Sequence, residues 1–166
     1  MKHFALLGWI ALSSSVFAQA NVAEANNVFA QVKAMVGGVW RGTVGEKLPV
    51  EIRFRLVEDG RVVESDGIVG DPKKPVLKMH AKMGIDPETN QVFYLDQHNG
   101  TTIYFGHIGQ GTGELIFDFT GLSGDTGHWR NHSKIVGDQY ESTLNVVDAE
   151  GTETALHPLV LKREKG

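Results

Sequence analysis

The chain has 166 residues, with 16 basic against 20 acidic side chains and no cysteine. A formal net charge of −4 argues against nucleic acid or an anionic membrane surface as a partner, because both attract basic proteins. Without cysteine there is no disulfide framework, no thiol nucleophile and no lipid-modified cysteine. An exported protein of this composition must be held by a sizeable apolar core.

Residues 1–20 have the pattern of a cleaved secretory signal peptide. Lys2 gives a positive start, Phe4 to Ile10 form an apolar run, and Ala18-Gln19-Ala20 is a small-residue cleavage site. The apolar run is too short to span a membrane. We therefore expect a soluble mature protein that is periplasmic or secreted from a bacterium, with no stable membrane insertion.

Residues 21–37 predict an N-terminal capping helix. Gly37-Gly38 ends a run in which apolar residues recur at helical spacing. These residues are Val22, Ala25, Val28, Phe29, Val32 and Met35. Such a helix either binds a partner or covers the open end of the domain that follows, and we favour the second alternative.

Residues 38–166 predict a single all-β domain, a ten-stranded antiparallel β-barrel. Turn signals recur about every ten residues between alternating runs, which is typical of a barrel or sandwich. The strands are predicted at 38–45, 50–57, 61–69, 76–85, 91–98, 101–108, 114–120, 127–136, 139–147 and 153–163.

Two tight turns fix register, and register decides which side chains face the interior. Asp59-Gly60 and Gly137-Asp138 each predict a two-residue hairpin loop. The resulting outer-face pairs have opposite charges: Arg55 with Glu64, Arg53 with Asp66, and Lys134 with Glu141. The inner faces then hold Ile52, Phe54, Leu56, Ser65, Trp129, Asn131, Ser133, Tyr140, Ser142, Leu144 and Val146.

Two other strands alternate in the same way. Met79 and Met83 face inward within 76–85, and Phe117 does so within 114–120. Asn99-Gly100 predicts a further two-residue hairpin with His98 opposite Thr101. Both faces of that hairpin are mixed, so its inward face stays open.

The last strand places His157 inside, opposite Ser142 and on the same face as Leu159. His157 either ligates haem iron or a metal, orients a polar ligand group, or is a core histidine bonded to Ser142. Pro158 lacks a backbone donor and predicts an irregular strand there.

Other candidate sites are weaker. Asp96 with His98 or His107 would make an acid–base pair, since the predicted register puts all three on one face. The remaining histidines, including His128 and His132, match no compact metal motif and predict a solvated basic strip on the outer face. No nucleophile elbow occurs, so the sequence assigns no catalytic residue and no metal ligand.

Gly38-Val39-Trp40 matches the Gly-x-Trp signature at the first strand of lipocalin-like (calycin) barrels. The resemblance implies that Arg163, on the last strand, packs across Trp40 and closes the barrel. The chain looks more closely like bacterial lipocalin-like proteins of the domain-of-unknown-function type, through the run Gly84 to Asn90 and a closing Lys-Arg strand. A weaker resemblance to nitrobindin-like haem barrels rests on Gly38, Trp40 and Gly42, and implies haem on His157.

These observations predict an exported protein that binds or carries a small, mostly apolar ligand. The proposed ligand-binding residues are Phe54, Met79, Met83, Phe117, Trp129, Tyr140 and His157. A haem or nitric-oxide barrel using His157 and a cavity enzyme of isomerase or cyclase type are the alternatives. Apolar walls with a few polar groups suit a ligand cavity and a packed core equally, so that choice stays open, as does the oligomeric state.

Overall fold

The computed structural model describes residues 22–45 and 47–165, apart from the side chain of His157. The predicted signal peptide, residues 1–20, lies outside the described residues. Within them, one helix, α1, covers Val22–Lys33 and ten strands follow. The strands are β1 Val39–Val44, β2 Leu48–Val57, β3 Val62–Asp71, β4 Lys74–Ile85, β5 Val92–His98, β6 Thr102–Gln110, β7 Leu115–Ser123, β8 His128–Val136, β9 Gln139–Val147 and β10 Glu153–Glu164.

The ten strands form a closed barrel in which every neighbouring pair is antiparallel. Each strand pairs with the next one along the chain, and β1 pairs with β10 to complete the ring. A closed barrel leaves no free sheet edge. The predicted fold class, an all-β ten-stranded antiparallel barrel with an N-terminal helix, is confirmed.

The predicted register of the β2–β3 and β8–β9 hairpins is confirmed. Arg55 lies opposite Glu64 and Arg53 opposite Asp66, although a short 3-10 turn, Glu58–Gly60, replaces the simple two-residue loop. Arg55 makes ion pairs with both Glu64 and Asp66, whereas Arg53 pairs with Glu51 on its own strand. In the second hairpin, Ile135 lies opposite Tyr140 and Lys134 opposite Glu141, as predicted.

Two residues predicted for the interior are exposed. Leu56 is 45% exposed and Val146 is 39% exposed. Each has the predicted inward parity and lies near the end of its strand.

The predicted register of the Asn99-Gly100 hairpin is wrong by one residue. His98 lies opposite Thr102, not Thr101, so the loop has three residues. The backbone N–H and side chain of Asn99 both bond to the backbone of Lys78 on β4, which holds Asn99 in line with β5. A one-residue shift exchanges the faces of the partner strand, so Tyr104 faces Asp96 across the hairpin.

The predicted pairing of His157 with Ser142 is also wrong. Ser142 lies opposite Leu159, two residues further along β10, and the register of β10 shifts by one residue between Ala155 and Pro158. The shift fits the missing backbone donor of Pro158, and the predicted irregularity of this strand is confirmed.

Helix α1 lies against one end of the barrel, which we call the closed end. Its buried residues join the same apolar cluster as Trp40, Met83 and Ile108. The turns 86–91, 111–114 and 137–138 lie at this end, whereas 72–73, 99–101, 124–127 and 148–152 lie at the other, the open end, because successive antiparallel strands reverse direction. Because α1 covers the closed end, the open end is the route into the barrel.

Candidate ligand-binding cavity

The barrel interior contains a cavity of about 420 Å³. Met35, which follows α1, lines it at the closed end, and the exposed residues Asp125 and Leu156 line it at the open end. Aliphatic, methionine and aromatic side chains form most of its wall. The interior is therefore not packed solid, which the sequence had left open.

Six of the seven predicted ligand-binding residues lie along this cavity. They are Phe54, Met79, Met83, Phe117, Trp129 and Tyr140. The side chain of His157, the seventh, lies outside the described residues, although its neighbour Leu156 borders the cavity. Ligand contact by these residues stays a prediction.

A buried carboxylate, Asp96, lies in the wall of this mostly apolar cavity. Asp96 is only 5% exposed. One oxygen, Oδ2, accepts a hydrogen bond from the hydroxyl of Tyr94 at 2.7 Å and lies 2.8 Å from Nε2 of His98. The spacing of two residues puts all three side chains on the inner face of β5.

The second oxygen of Asp96, Oδ1, is buried and has no hydrogen-bond partner in the described part of the chain. Buried polar atoms are nearly always hydrogen-bonded, and a buried acceptor without a donor is costly. Oδ1 therefore keeps an unused capacity to accept a hydrogen bond in the wall beside the cavity.

The predicted acid–base pair is corrected in one respect. His98 does contact Asp96, but His107 lies opposite Phe93 on the outer face and contacts Phe105. The one-residue change of register accounts for this, because it moves His107 away from the face that Asp96 occupies.

Burial and negative charge act on the tyrosines around this site. Burial, and then the charge of Asp96, raise the pKa of Tyr94 well above its usual value. Burial raises the pKa of Tyr104, and the charges of Asp125 and Asp96 raise it further. Both phenols consequently stay protonated at neutral pH, and that of Tyr94 donates to Asp96.

An aromatic cluster surrounds the carboxylate. Tyr94 contacts Phe117 and Phe119 with ring centroids 5.4 and 5.2 Å apart, and Tyr104 lies 5.1 Å from Trp129 in an edge-on arrangement. The ring of His98 lies 4.8 Å from that of Tyr104. These rings bring aromatic faces and edges to the cavity beside Asp96.

A second polar group lies deeper in the wall. The hydroxyls of Tyr140 and Ser133 are 2.9 Å apart. Burial raises the pKa of Tyr140, and hydrogen bonds with Ser133, Ser142 and Asn131 oppose that rise. Oδ1 of Asn131 is buried and has no partner among the described residues, so this group also retains hydrogen-bonding capacity.

The residues expected to close the barrel meet at the closed end. The guanidinium carbon of Arg163 lies 4.4 Å from the ring centroid of Trp40, and Nε1 of Trp40 donates to the carbonyl of Met35 at 2.8 Å. Arg163 also donates to the carbonyl of Ala34. A Cβ on Gly38 would lie 2.6 Å from the carbonyl oxygen of Glu164, so glycine permits the close approach of the first and last strands.

His128 and His132 belong to an ionic network instead of a basic strip. It crosses β7, β8 and β10, and consists of Glu114, Asp118, His128, Arg130, His132 and Glu153. Every basic member contacts a carboxylate within 2.9 Å. Among the described residues, no group of three or more metal-ligating side chains is placed to hold an ion.

The fold has a counterpart among solved structures. The crystal structure of Rv2717c from M. tuberculosis matches this chain with a TM-score of 0.59 and 13% sequence identity. The match covers 83% of this chain and 98% of that one. At this level of identity the likeness shows the barrel fold alone. No protein-family model and no curated protein matches the sequence.

Two further observations bear on the predictions. In the part of the chain that the structure describes, no helix combines the length and apolar character needed to cross a membrane. The haem alternative depends on His157, whose side chain lies outside the described residues, and it stays a prediction.

The sequence did not identify Asp96, Tyr94 and His98 as a group inside the barrel. Their spacing on one strand face was visible, but the alternation of this hairpin was mixed. A signal existed in the cross-strand partner: Tyr104, Gly106 and Ile108 form an inward face once the loop is given three residues.

Proposed function

We propose that the protein is an exported small-molecule binding or carrier protein whose mostly apolar ligand occupies the barrel cavity. The observation that carries this proposal is the cavity itself, about 420 Å³ with apolar walls. Ligand sites commonly have volumes of about 300–1,000 Å³ and a few convergent polar groups. Asp96 and the Tyr140 group are such polar groups.

We also propose that the barrel is of the lipocalin-like type. The contact of Arg163 with Trp40, and the close approach at Gly38, support it. In small barrels the interior holds either packed side chains or one small ligand. The open end gives a ligand access without passing α1.

A cavity-filling substitution tests the proposed binding. Ala81 lines the cavity and is 4% exposed, so Ala81→Phe places a ring where the ligand would lie. We expect saturable binding of the neutral fluorescent probe N-phenylnaphthylamine to the wild type, and about tenfold or more weaker binding to Ala81→Phe. Ala30→Phe, on the exposed side of α1, is the control and should bind as the wild type does. Equal binding by all three proteins would contradict the proposal.

Export is tested separately. Residues 1–20 have a signal-peptide pattern, so the mature protein should begin near Asn21. N-terminal sequencing of protein recovered from a bacterial periplasm or medium checks this. Recovery of the uncleaved chain from the cytoplasm would contradict export without affecting ligand binding.

A cavity enzyme of isomerase or cyclase type is the second candidate, because Asp96 bonds to both His98 and Tyr94 within the cavity. A carboxylate bonded to a histidine is a pair that general acid–base catalysis uses. The test is incubation of a metabolite extract with the wild type and with Asp96→Asn, followed by mass spectrometry. A product formed by the wild type alone would favour the enzyme, and unchanged extracts would favour the carrier.

A further inference from the structure

The free oxygen of Asp96 indicates what kind of ligand group the cavity accepts. Oδ2 is already bonded by Tyr94 and lies within bonding distance of His98, whereas Oδ1 is buried and without a partner among the described residues. A carboxylate oxygen accepts hydrogen bonds and donates none when ionised. The complementary ligand group is therefore an N–H or O–H donor.

The charges that line the cavity narrow the choice between a neutral and a cationic donor. Asp96 and Asp125 both border it, and no lysine or arginine of the described chain does. Two carboxylates in the wall produce a negative potential. The apolar surroundings strengthen this potential because they screen charge weakly. One histidine, His98, also lines the cavity and contacts Asp96. The two carboxylates outnumber it, so the lining favours a cation over an anion.

The aromatic cluster supports the same choice. Four aromatic rings surround the region of Asp96, and the centroids of contacting rings lie 5.1–6.1 Å apart. The rings belong to Tyr94, Tyr104, Phe119 and Trp129. Aromatic faces attract organic cations and also contact apolar ligand bodies. One wall therefore offers a carboxylate acceptor and several π-faces to the same ligand group.

We propose that the ligand is an organic cation, an apolar molecule with a protonated amine whose N–H donates to the carboxylate of Asp96. The amine lies among the aromatic rings, and the apolar body fills the methionine- and aliphatic-lined remainder of the cavity. This inference rests on the proposed binding function and adds the chemical class of the ligand.

Three probes with the same apolar body test the charge preference on the wild type. Phenylbutylamine is protonated at neutral pH, phenylbutanol is neutral, and phenylbutyrate is anionic. Isothermal titration calorimetry should give the tightest binding for the amine, with the alcohol weaker by about tenfold or more and the anion weakest. This comparison does not depend on the folding of any variant.

Asp96→Asn tests the residue. The substitution removes the charge and keeps the approximate shape, so amine affinity should fall by about tenfold or more while alcohol affinity changes little. Asp59→Asn makes the same chemical change in the exposed turn between β2 and β3 and should leave all three affinities unaltered.

The outcomes separate this inference from the proposed function. Binding of alcohol or anion as tightly as the amine, or amine binding insensitive to Asp96→Asn in a folded variant, would overturn the cation preference and leave cavity binding intact. Failure of all three probes, together with failure of N-phenylnaphthylamine, would overturn both.

Discussion

At the scale of single residues, the chemistry of the barrel interior depends on which buried polar atoms have hydrogen-bond partners. Asp96 has one oxygen bonded within the protein and one without a partner. A core evolved only for packing would gain from an apolar residue there, because burying an unpaired polar atom is costly. Its position beside a cavity supports our proposal that a ligand group bonds there.

Gly106 is expected to be intolerant of any side chain. A Cβ at this position would lie 2.0 Å from the carbonyl oxygen of Asp118 and 2.5 Å from Cα of Phe119, both of which are backbone atoms that cannot easily move. Gly106→Ala should lower the free energy of unfolding by about 1–3 kcal/mol or more, measured by urea denaturation. Gly109→Ala, with nothing within 4 Å of its Cβ, should change it by less than about 0.5 kcal/mol. Equal effects would show that the close approach is absent.

Arg163 is expected to stabilise the closed end. Its guanidinium stacks on Trp40 and donates to the carbonyl of Ala34, and its side chain is 19% exposed. Arg163→Ala should lower the free energy of unfolding by about 2 kcal/mol. Arg53→Ala removes a 59% exposed arginine that pairs with Glu51 and should cost about 0.5 kcal/mol or less. Similar losses for the two variants in chemical denaturation would argue against a role of Arg163 in closure.

At the scale of elements, α1 closes one end of the barrel and the strands hold their register through turns and charges. The helix is only 12 residues long, which is marginal for an isolated helix. Its stability must come from the apolar face packed on the barrel. The carbonyls that follow α1 are bonded by Trp40 and Arg163, which attaches the end of the helix to the first and last strands.

The packing of α1 is testable with two identical changes. Val32 is fully buried, whereas Val22 is 56% exposed on the same helix. Val32→Ala should lower the free energy of unfolding by about 2 kcal/mol, and Val22→Ala by less than about 0.5 kcal/mol. Thermal or urea unfolding followed by circular dichroism provides the measurement. A negligible effect at Val32 would mean that the helix does not cover the barrel.

The outer ionic network predicts a pH dependence. Hydrogen bonds that His132 donates to the carboxylates of Glu114 and Glu153 raise its pKa above the usual value of 6.5, that to Glu114 most, and burial opposes the rise. Because protonated His132 is favoured in the folded state, its contribution is fully present below pH 6.5 and is lost as the pH rises through the raised folded pKa. Stability measured across that range should fall less in His132→Gln than in the wild type. An unaltered profile in His132→Gln would refute the assignment.

The hairpins show how far the sequence determines register. Around Asp59-Gly60 and Gly137-Asp138, opposite charges and apolar alternation agree, and the predicted pairing is confirmed. At Asn99-Gly100 the loop gains a residue because Asn99 bonds to Lys78 on β4, a contact between strands that the turn sequence alone does not contain. The irregularity of β10 at Pro158 was predicted, but the pairing of Ser142 with Leu159 was not.

At the scale of the whole molecule, α1 covers one end of the barrel and the other end is open. The inward residues predicted from alternation are largely those that surround the cavity. Their identities did not decide between a cavity and a packed core, because that depends on the circumference of the barrel relative to the summed side-chain volume. Ten strands closed with this set of side chains leave about 420 Å³ unfilled.

The most direct test of ligand binding is native mass spectrometry of the protein purified from the cells that produce it, with a visible absorbance scan of the same sample. Our account predicts a small organic molecule bound at one per chain, released on denaturation and reduced in Ala81→Phe. A Soret band would instead point to haem and to His157. A mass equal to the chain alone, in protein that also fails to take up a neutral apolar probe, would contradict the account and favour a barrel whose role lies on its outer surface.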